Sequence, residues 1–303
     1  KKKKKKNLKK SVRFILHIMY KIQKETKFVD KFSSPFNEYA IINPIGKGCR
    51  SNLFKVQEIS SHDIYAMKII PKKDNDEMMQ QVRNKINLLS SLNHPNIIKI
   101  YDTFDMKNNQ NEEFLVVITD YCENGSLIDY STIYGFQNDI EKKFIAFHLL
   151  EAIRYLHKHG IAHRNIRPEN ILLDKSLTPK LCNFSNFTKS NDKNFFKEDI
   201  WSFGITLYEA FELSYPFKKV EDVINDRATI VKSISDKNLK KLIFECIKRK
   251  AEYRPTADNL AKEEYFLFMN KHSEKKNKKR NNSNQKKKFS IERDFYFSLK
   301  NML

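Results

Sequence analysis

At Asn124-Gly125 the periodicity of the chain changes, and that change limits the folds open to it. Between residues 41 and 70 the β-prone runs are short, divided by Gly46-Lys47-Gly48 and by Ser60-Ser61-His62-Asp63, as in a twisted antiparallel sheet. Residues 78–92 then carry Val82, Ile86 and Leu89 at helical spacing, and 114–119 is a continuous apolar strand. Beyond the turn, helical periodicity takes over in 140–157, 200–211, 238–247 and 256–266. Strands followed by helices predict an α+β architecture of two lobes.

Charge divides the 303 residues differently. Residues 1–36 hold 13 Lys/Arg against Glu25 and Asp30, a surplus of +11, and residues 271–303 hold 11 against Glu274, Glu292 and Asp294, a surplus of +8. Almost all of the net +20 therefore sits in two arms, and the central block is close to neutral. In the first arm Leu8, Val12, Ile15, Met19 and Ile22 fall on one helical face, which predicts a basic amphipathic helix ending before Ser33-Ser34-Pro35. No apolar run reaches the ~18 residues that a membrane span requires. The arm also lacks the small-residue cleavage site of a signal peptide. Cys49, Cys122, Cys182 and Cys246 form neither a CxxC pair nor a metal-spaced cluster, so reduced, intracellular thiols are expected.

The central block contains a series of short motifs. Ile45-Gly46-Lys47-Gly48-Cys49-Arg50-Ser51-Asn52-Leu53 is followed by Ala66-Met67-Lys68, His94-Pro95-Asn96 and Thr119-Asp120-Tyr121-Cys122. After them come His163-Arg164-Asn165-Ile166-Arg167-Pro168-Glu169-Asn170, Leu181-Cys182-Asn183-Phe184-Ser185, Asp199-Ile200-Trp201-Ser202-Phe203-Gly204 and Arg254-Pro255-Thr256. Taken in this order and at these separations, they resemble the eukaryotic protein kinase family over residues 39–268. The resemblance implies a bilobal fold with an antiparallel N-lobe (37–119), a hinge (120–124) and a mainly helical C-lobe (125–269), flanked by the arm 1–36 and the tail 270–303.

It also implies roles for individual residues. Ile45, Gly46 and Gly48 correspond to the loop whose backbone amides approach phosphates, with Ser51 in place of the third glycine. Lys68 corresponds to the phosphate-binding lysine, and Leu53, Ala66 and Leu172 to the residues that sandwich adenine. Thr119 is a small gatekeeper, and Asp120 and Cys122 lie in the hinge that hydrogen-bonds the base. The glutamate that partners the lysine in the family is replaced by Lys85, with no acid between residues 78 and 100. Two ammonium groups ~4 Å apart repel by roughly 4 kcal/mol at an effective dielectric near 20, so either Lys85 is expected to point away from Lys68 or its helix to rotate outward.

The catalytic loop and metal-binding motif depart further from the family. Asn165 stands where the family has its catalytic aspartate, and an amide cannot accept the substrate hydroxyl proton. Arg167 supplies a cation in place of the γ-phosphate lysine. Asn170 retains the metal-binding amide, but Asn183 replaces the second ligand's carboxylate, and Mg²⁺ favours charged oxygens. The metal site is therefore expected to be weak or lost.

Only sixteen positions separate Asn183 from Asp199, so the activation segment is short and the family's Ala-Pro-Glu motif is missing. Arg254 thus loses its usual acidic partner, and Glu198 is expected to substitute. Leu89, Ile100, His163 and Phe184 correspond to the family's stacked structural residues, with Asp199 anchoring the loop that contains His163.

The resulting expectation is a pseudokinase that retains ATP binding and works through protein partners such as an active kinase or its substrate. The alternatives are a weakly active or atypical serine/threonine kinase, and a nucleotide-free scaffold that acts through its arms. The N-terminal arm suits an anionic membrane surface, each basic residue contributing about 1 kcal/mol. Nucleic acid is disfavoured because the lysines are not interleaved with stacking aromatics. A cytoplasmic location is expected first, with nuclear and membrane-peripheral locations as alternatives.

Overall fold

A computed structural model of the chain describes residues 31–33, 37–48, 51–72, 76–108, 111–190, 192–217, 234–267 and 269. The helix expected over 8–22 and the tail 270–303 lie outside them. The chain divides into two compact units, one running to Ser90 and resuming over Lys99–Tyr121, the other formed by Ser91–Ile98 and the chain from Cys122 onward. Among the described residues the first is an antiparallel sheet with one helix and the second is mainly helical, and together they have the expected α+β composition.

The first unit contains strands β1 (Lys31–Ser33), β2 (Glu38–Gly48), β3 (Ser51–Glu58), β4 (Ile64–Pro71), β5 (Ile100–Lys107) and β6 (Glu113–Asp120), with helix α1 (Asp76–Ser91) between β4 and β5. They form one sheet in the order β1-β2-β3-β4-β6-β5. β1 pairs with β2 through Lys31, Phe32 and Ser33, so the sheet includes residues before the domain start expected at residue 37. β6 reads as an unbroken apolar run because both of its faces are covered. Phe114, Val116 and Ile118 join Phe54, Val56, Met67 and Ile69 in one core, whereas Leu115 and Val117 turn the other way to meet Met79, Val82 and Ile86 of α1. Each of these side chains stabilises the unit by about 1.5–3 kcal/mol when fully buried.

The first core is closed by contact between strands that are distant in the sheet order. The Tyr39 ring on β2 stacks on Phe104 of β5 at 6.3 Å, and its hydroxyl donates to Asp102 at 3.3 Å. Burial pushes the Tyr39 phenol up to about 12. On the outside, Asp105 of β5 holds Arg83 of α1 at 3.3 Å and Lys72 at 2.9 Å.

The second unit is built around helices α2 (Leu127–Ile133), α3 (Asp139–Lys158), α4 (Lys193–Glu212), α5 (Lys237–Cys246) and α6 (Ala257–Leu260). Among its described residues are two small sheets, β7 (Ile161–Ala162) with β10 (Thr188–Lys189), and β8 (Ile171–Leu173) with β9 (Pro179–Leu181). The start of α3 is fixed by Asn138, whose side chain accepts from the Glu141 amide. Buried Glu141 in turn accepts from the Tyr130 hydroxyl at 2.9 Å and the Gln137 amide at 2.6 Å. Residues 91–98 belong here because the Asn96 carbonyl accepts from the Leu181 amide at 2.8 Å and the Ile98 amide donates back to Leu181 at 3.0 Å.

Two helices differ from their sequence-based bounds. α4 starts at Lys193, seven residues earlier than expected, because Asp192 caps it by accepting from the Asn194 amide. The helix expected over 256–266 stops at Leu260 and is followed by a 3₁₀ turn at Glu264–Phe266. Tyr265 and Phe266 are buried, and the Phe266 ring meets Phe147 at 5.8 Å. Their docking outweighs the propensity to continue a helix. Gly204 of α4 has a packing role, since a Cβ there would lie 2.5 Å from the Cβ of Cys246 on α5.

Candidate functional site

In the first unit the candidate residues lie along β2, β3, β4 and β6. β2 and β3 pair through Gly46 with Leu53 and Gly48 with Ser51, while Cys49 and Arg50 of the intervening turn lie outside the described residues. The register shifts between Pro44 and Gly46 as the hairpin enters the turn, and Ile45 is exposed there. Leu53 sits opposite Lys68, Lys68 opposite Val117, and Ala66 opposite Thr119. Cross-strand partners share a face, so Leu53, Ala66, Lys68 and Thr119 lie on the α1 side of the sheet, away from Met67 and Ile69. Apolar Leu53 and Ala66 on the same face as Lys68, an exposed residue, are the types of side chain that suit a planar base and its phosphates.

Lys85 and Leu89 are half-buried on α1, and Ile100 packs beside Leu115 and Val117. Asp120 is tied to the start of β5, where it accepts from the Lys99 amide at 2.8 Å and the Tyr101 hydroxyl at 3.0 Å. Burial, followed by the charge of Asp120, raises the Tyr101 phenol above its ordinary range. The Thr119 hydroxyl donates to the Asp120 carbonyl at 3.4 Å.

In the second unit Cys122 opens a turn in which its carbonyl accepts from the Gly125 amide at 3.2 Å. Leu172 is half-buried on β8 and pairs with Lys180. The remaining residues are organised by Asp199, which is wholly buried on α4. Its two oxygens accept from the amides of His163 at 2.8 Å and Arg164 at 2.7 Å, and His157 Nε2 lies 2.9 Å away. Arg164 takes a left-handed conformation, φ 56°, that turns the chain over this carboxylate.

His163 is equally buried, with its ring edge-on to Phe184 at 4.5 Å. Its Nδ1 accepts from the Asn165 amide at 3.2 Å, so the ring proton lies on Nε2 and is donated to the Cys182 carbonyl at 3.1 Å. Burial pulls the imidazole down to about 4, which keeps it neutral at physiological pH.

The three asparagines form a connected set. Asn165 Nδ2 donates to Ser185 Oγ at 3.0 Å. Asn170 Nδ2 donates to the Asn165 carbonyl at 2.8 Å, and Asn170 Oδ1 accepts from Asn183 Nδ2 at 3.0 Å. The expected cation ligands thus satisfy each other, because the Asn170 oxygen is engaged by an amide nitrogen. Two neutral amides joined in this way do not fit a hard divalent cation. Among the described residues, no group of three or more His, Cys, Asp and Glu side chains is arranged to hold a metal.

Arg167 is also engaged. It forks onto Glu169, two residues away, with both N–O distances 2.7 Å, and each partner stabilises the charged form of the other. Glu169 was legible as an acid beside Arg167, but its spacing says nothing about their pairing.

The short activation segment is exposed over much of its described length but is tied down at defined points. β10 pairs with β7, and the chain enters α4 four residues after Lys189. Arg164 clamps the segment through Glu198 at 3.1 Å, the Thr188 hydroxyl at 3.2 Å and the ring of Phe195 at 4.6 Å. The expected pairing of Glu198 with Arg254 is thereby corrected, because that carboxylate binds Arg164. Arg254 instead donates to the carbonyls of Lys248, Lys197 and Arg249 at 2.7, 3.0 and 3.0 Å. Its guanidinium lies over Trp201 at 4.6 Å, and Lys197 donates back to the Arg254 carbonyl. A planar fork with five donors can be satisfied by carbonyls and an aromatic face when its carboxylate partner is gone. Neither Trp201 nor Lys197 carried a sequence signal for this role.

Comparison with known proteins bears on the family of the fold. A protein kinase domain model matches residues 39–198, and a protein tyrosine and serine/threonine kinase model matches residues 186–263. The 3-phosphoinositide-dependent protein kinase B of Dictyostelium discoideum is 31% identical over 265 residues, covering 76% of this chain and 28% of the relative. Serine/threonine-protein kinase SIK1 of Rattus norvegicus is 32% identical over 209 residues, covering 59% and 26%. The NUAK family SNF1-like kinase 1 of Mus musculus is 34% identical over 150 residues, covering 49% and 22%. The chain thus spans about a quarter of the length of these relatives. On its motifs, its two-part fold and the domain match over more than half its length, the chain belongs to the protein kinase family.

Proposed function

We propose that the chain is a pseudokinase, a kinase domain that binds ATP through Lys68 and the hinge and acts by engaging protein partners. The family uses ATP and Mg²⁺. The observation that carries the proposal is the group in the base position. Asn165 has no ionisable side chain, and its Nδ2 is a donor to Ser185 at 3.0 Å rather than an acceptor aimed at a substrate hydroxyl. A positioned base contributes typically 10²–10⁴-fold to such a reaction. The Arg167–Glu169 fork supports the same reading, since an arginine already neutralised by a carboxylate has less charge to offer a phosphate.

The test is transfer of labelled phosphate from ATP to a panel of protein substrates, run on the unaltered chain and on Lys68→Met. The expected result is no transfer above the Lys68→Met background, and transfer abolished by that substitution refutes the proposal. A thermal shift with ATP, with and without Mg²⁺, separates a nucleotide-binding pseudokinase from a nucleotide-free scaffold. Stabilisation that does not require Mg²⁺ is expected, and no shift in either condition favours the scaffold.

A further inference from the structure

The hydrogen bond between Asn170 and Asn183 allows a more specific statement about the metal chemistry of the second unit, resting on the proposal above. Asn170 is 7% exposed and the orientation of its side chain is fixed, because Nδ2 donates to the Asn165 carbonyl at 2.8 Å. Rotating that amide by half a turn would set its oxygen against the carbonyl and lose the bond. Oδ1 must therefore face residue 183, and it receives Asn183 Nδ2 at 3.0 Å. The backbone of Asn170 is held as well, since its carbonyl accepts from the Cys182 amide at 2.9 Å and its own amide donates to the Arg167 carbonyl at 2.9 Å.

We infer that Asn183 is the residue that closes this position to divalent cations, its amide nitrogen occupying the Asn170 oxygen with which a cation would otherwise bond. The hydrogen bond takes over the organising role of an ion, and joins 163–170 to 182–185 without one. Opening the position requires Asn183 to reverse its amide, which breaks the 3.0 Å bond and sets two uncharged oxygens face to face. A hard cation gains little from two neutral oxygens in place of its hydration water.

A carboxylate at position 183 changes this balance, because it has no donor to offer Asn170. It would present a charged oxygen to the fixed Asn170 oxygen, an acceptor–acceptor contact that a divalent cation relieves. The backbone permits this change. Residue 183 has φ 60°, a left-handed conformation that Asp accepts much as Asn does, and Asn183 is exposed to solvent.

The test is titration with Mn²⁺ of the full chain in the absence of nucleotide, following the free aqua-ion by electron paramagnetic resonance. The unaltered protein is expected to show no saturable site that depends on Asn170. Asn183→Asp is expected to create a single site at least ~10-fold tighter than any background binding. The double variant Asn183→Asp/Asn170→Ala is expected to lose it. One equivalent of Mn²⁺ bound by the unaltered protein and lost in Asn170→Ala would overturn the inference. So would a folded Asn183→Asp protein that gains no site.

If circular dichroism shows that Asn183→Asp does not fold, the titrations of the unaltered chain and Asn170→Ala decide alone, with identical curves expected. Failure of the pseudokinase reading is detected separately. Phosphate transfer that depends on Lys68 would refute that reading whatever the Mn²⁺ result, whereas Mn²⁺ binding without transfer refutes only the inference.

Discussion

Acidification is expected to destabilise the second unit through His163, by an amount that follows from its burial. The free imidazole titrates at 6.5, and burial lowers the folded value to about 4. As pH falls, the unfolded chain takes up the proton first, so the stabilising contribution of neutral His163 is fully present above 6.5 and is lost as pH falls towards 4. One pKa unit corresponds to about 1.4 kcal/mol, so the contribution is roughly 3 kcal/mol in all, of which about 2 kcal/mol is lost between roughly pH 7 and pH 5.

The control is His163→Phe, which keeps a ring against Phe184 but removes both the titration and the hydrogen bonds to Cys182 and Asn165. It should be less stable at neutral pH by about 1–3 kcal/mol, since the Cys182 carbonyl and the Asn165 amide each lose a partner. Urea unfolding of both proteins across this range should show the gap between them narrowing by roughly 2 kcal/mol towards pH 5. His94, also lowered to about 4 by burial, is present in both proteins and cancels. A gap that stays constant would show that His163 does not titrate as its burial requires.

Three further outcomes follow from the packing. Arg254→Lys loses the fork that reaches three carbonyls and weakens the contact with Trp201, and should lower stability by about 2–4 kcal/mol in thermal denaturation. Gly204→Ala gains about 1 kcal/mol of helix propensity but places a methyl 2.5 Å from the Cys246 Cβ. A net loss of roughly 1–3 kcal/mol by urea unfolding is expected, and a neutral result would contradict the close approach of α4 and α5. Glu198→Gln should cost under about 1 kcal/mol because the pair with Arg164 is partly exposed, yet hydrogen exchange should quicken in the amides of 188–198.

Much of the fold was legible because its signals are local. The strands of residues 41–70 are bounded by turn residues, and the run 114–119 is apolar on both faces because a core lies on each side of β6. The early start of α4 and the break after Leu260 were not legible, since one depends on a cap at Asp192 and the other on the docking of Tyr265 and Phe266. Motif spacing located Asn165, Asn170, Asn183, His163 and Asp199, and the structure brings all five into one connected set.

By itself the sequence determined which chemical groups exist at these positions. An asparagine carries no ionisable side chain wherever it is placed, so the identities of residues 165 and 183 were sufficient to raise the question of catalysis. Only the tertiary structure decided how those groups are used. Asn183 faces the Asn170 oxygen, Glu198 binds Arg164 instead of Arg254, and Arg254 rests on Trp201 amid backbone carbonyls. Hydrogen-bond partners are set by distances between segments far apart in the chain, and residue type limits the possible bonds without selecting among them.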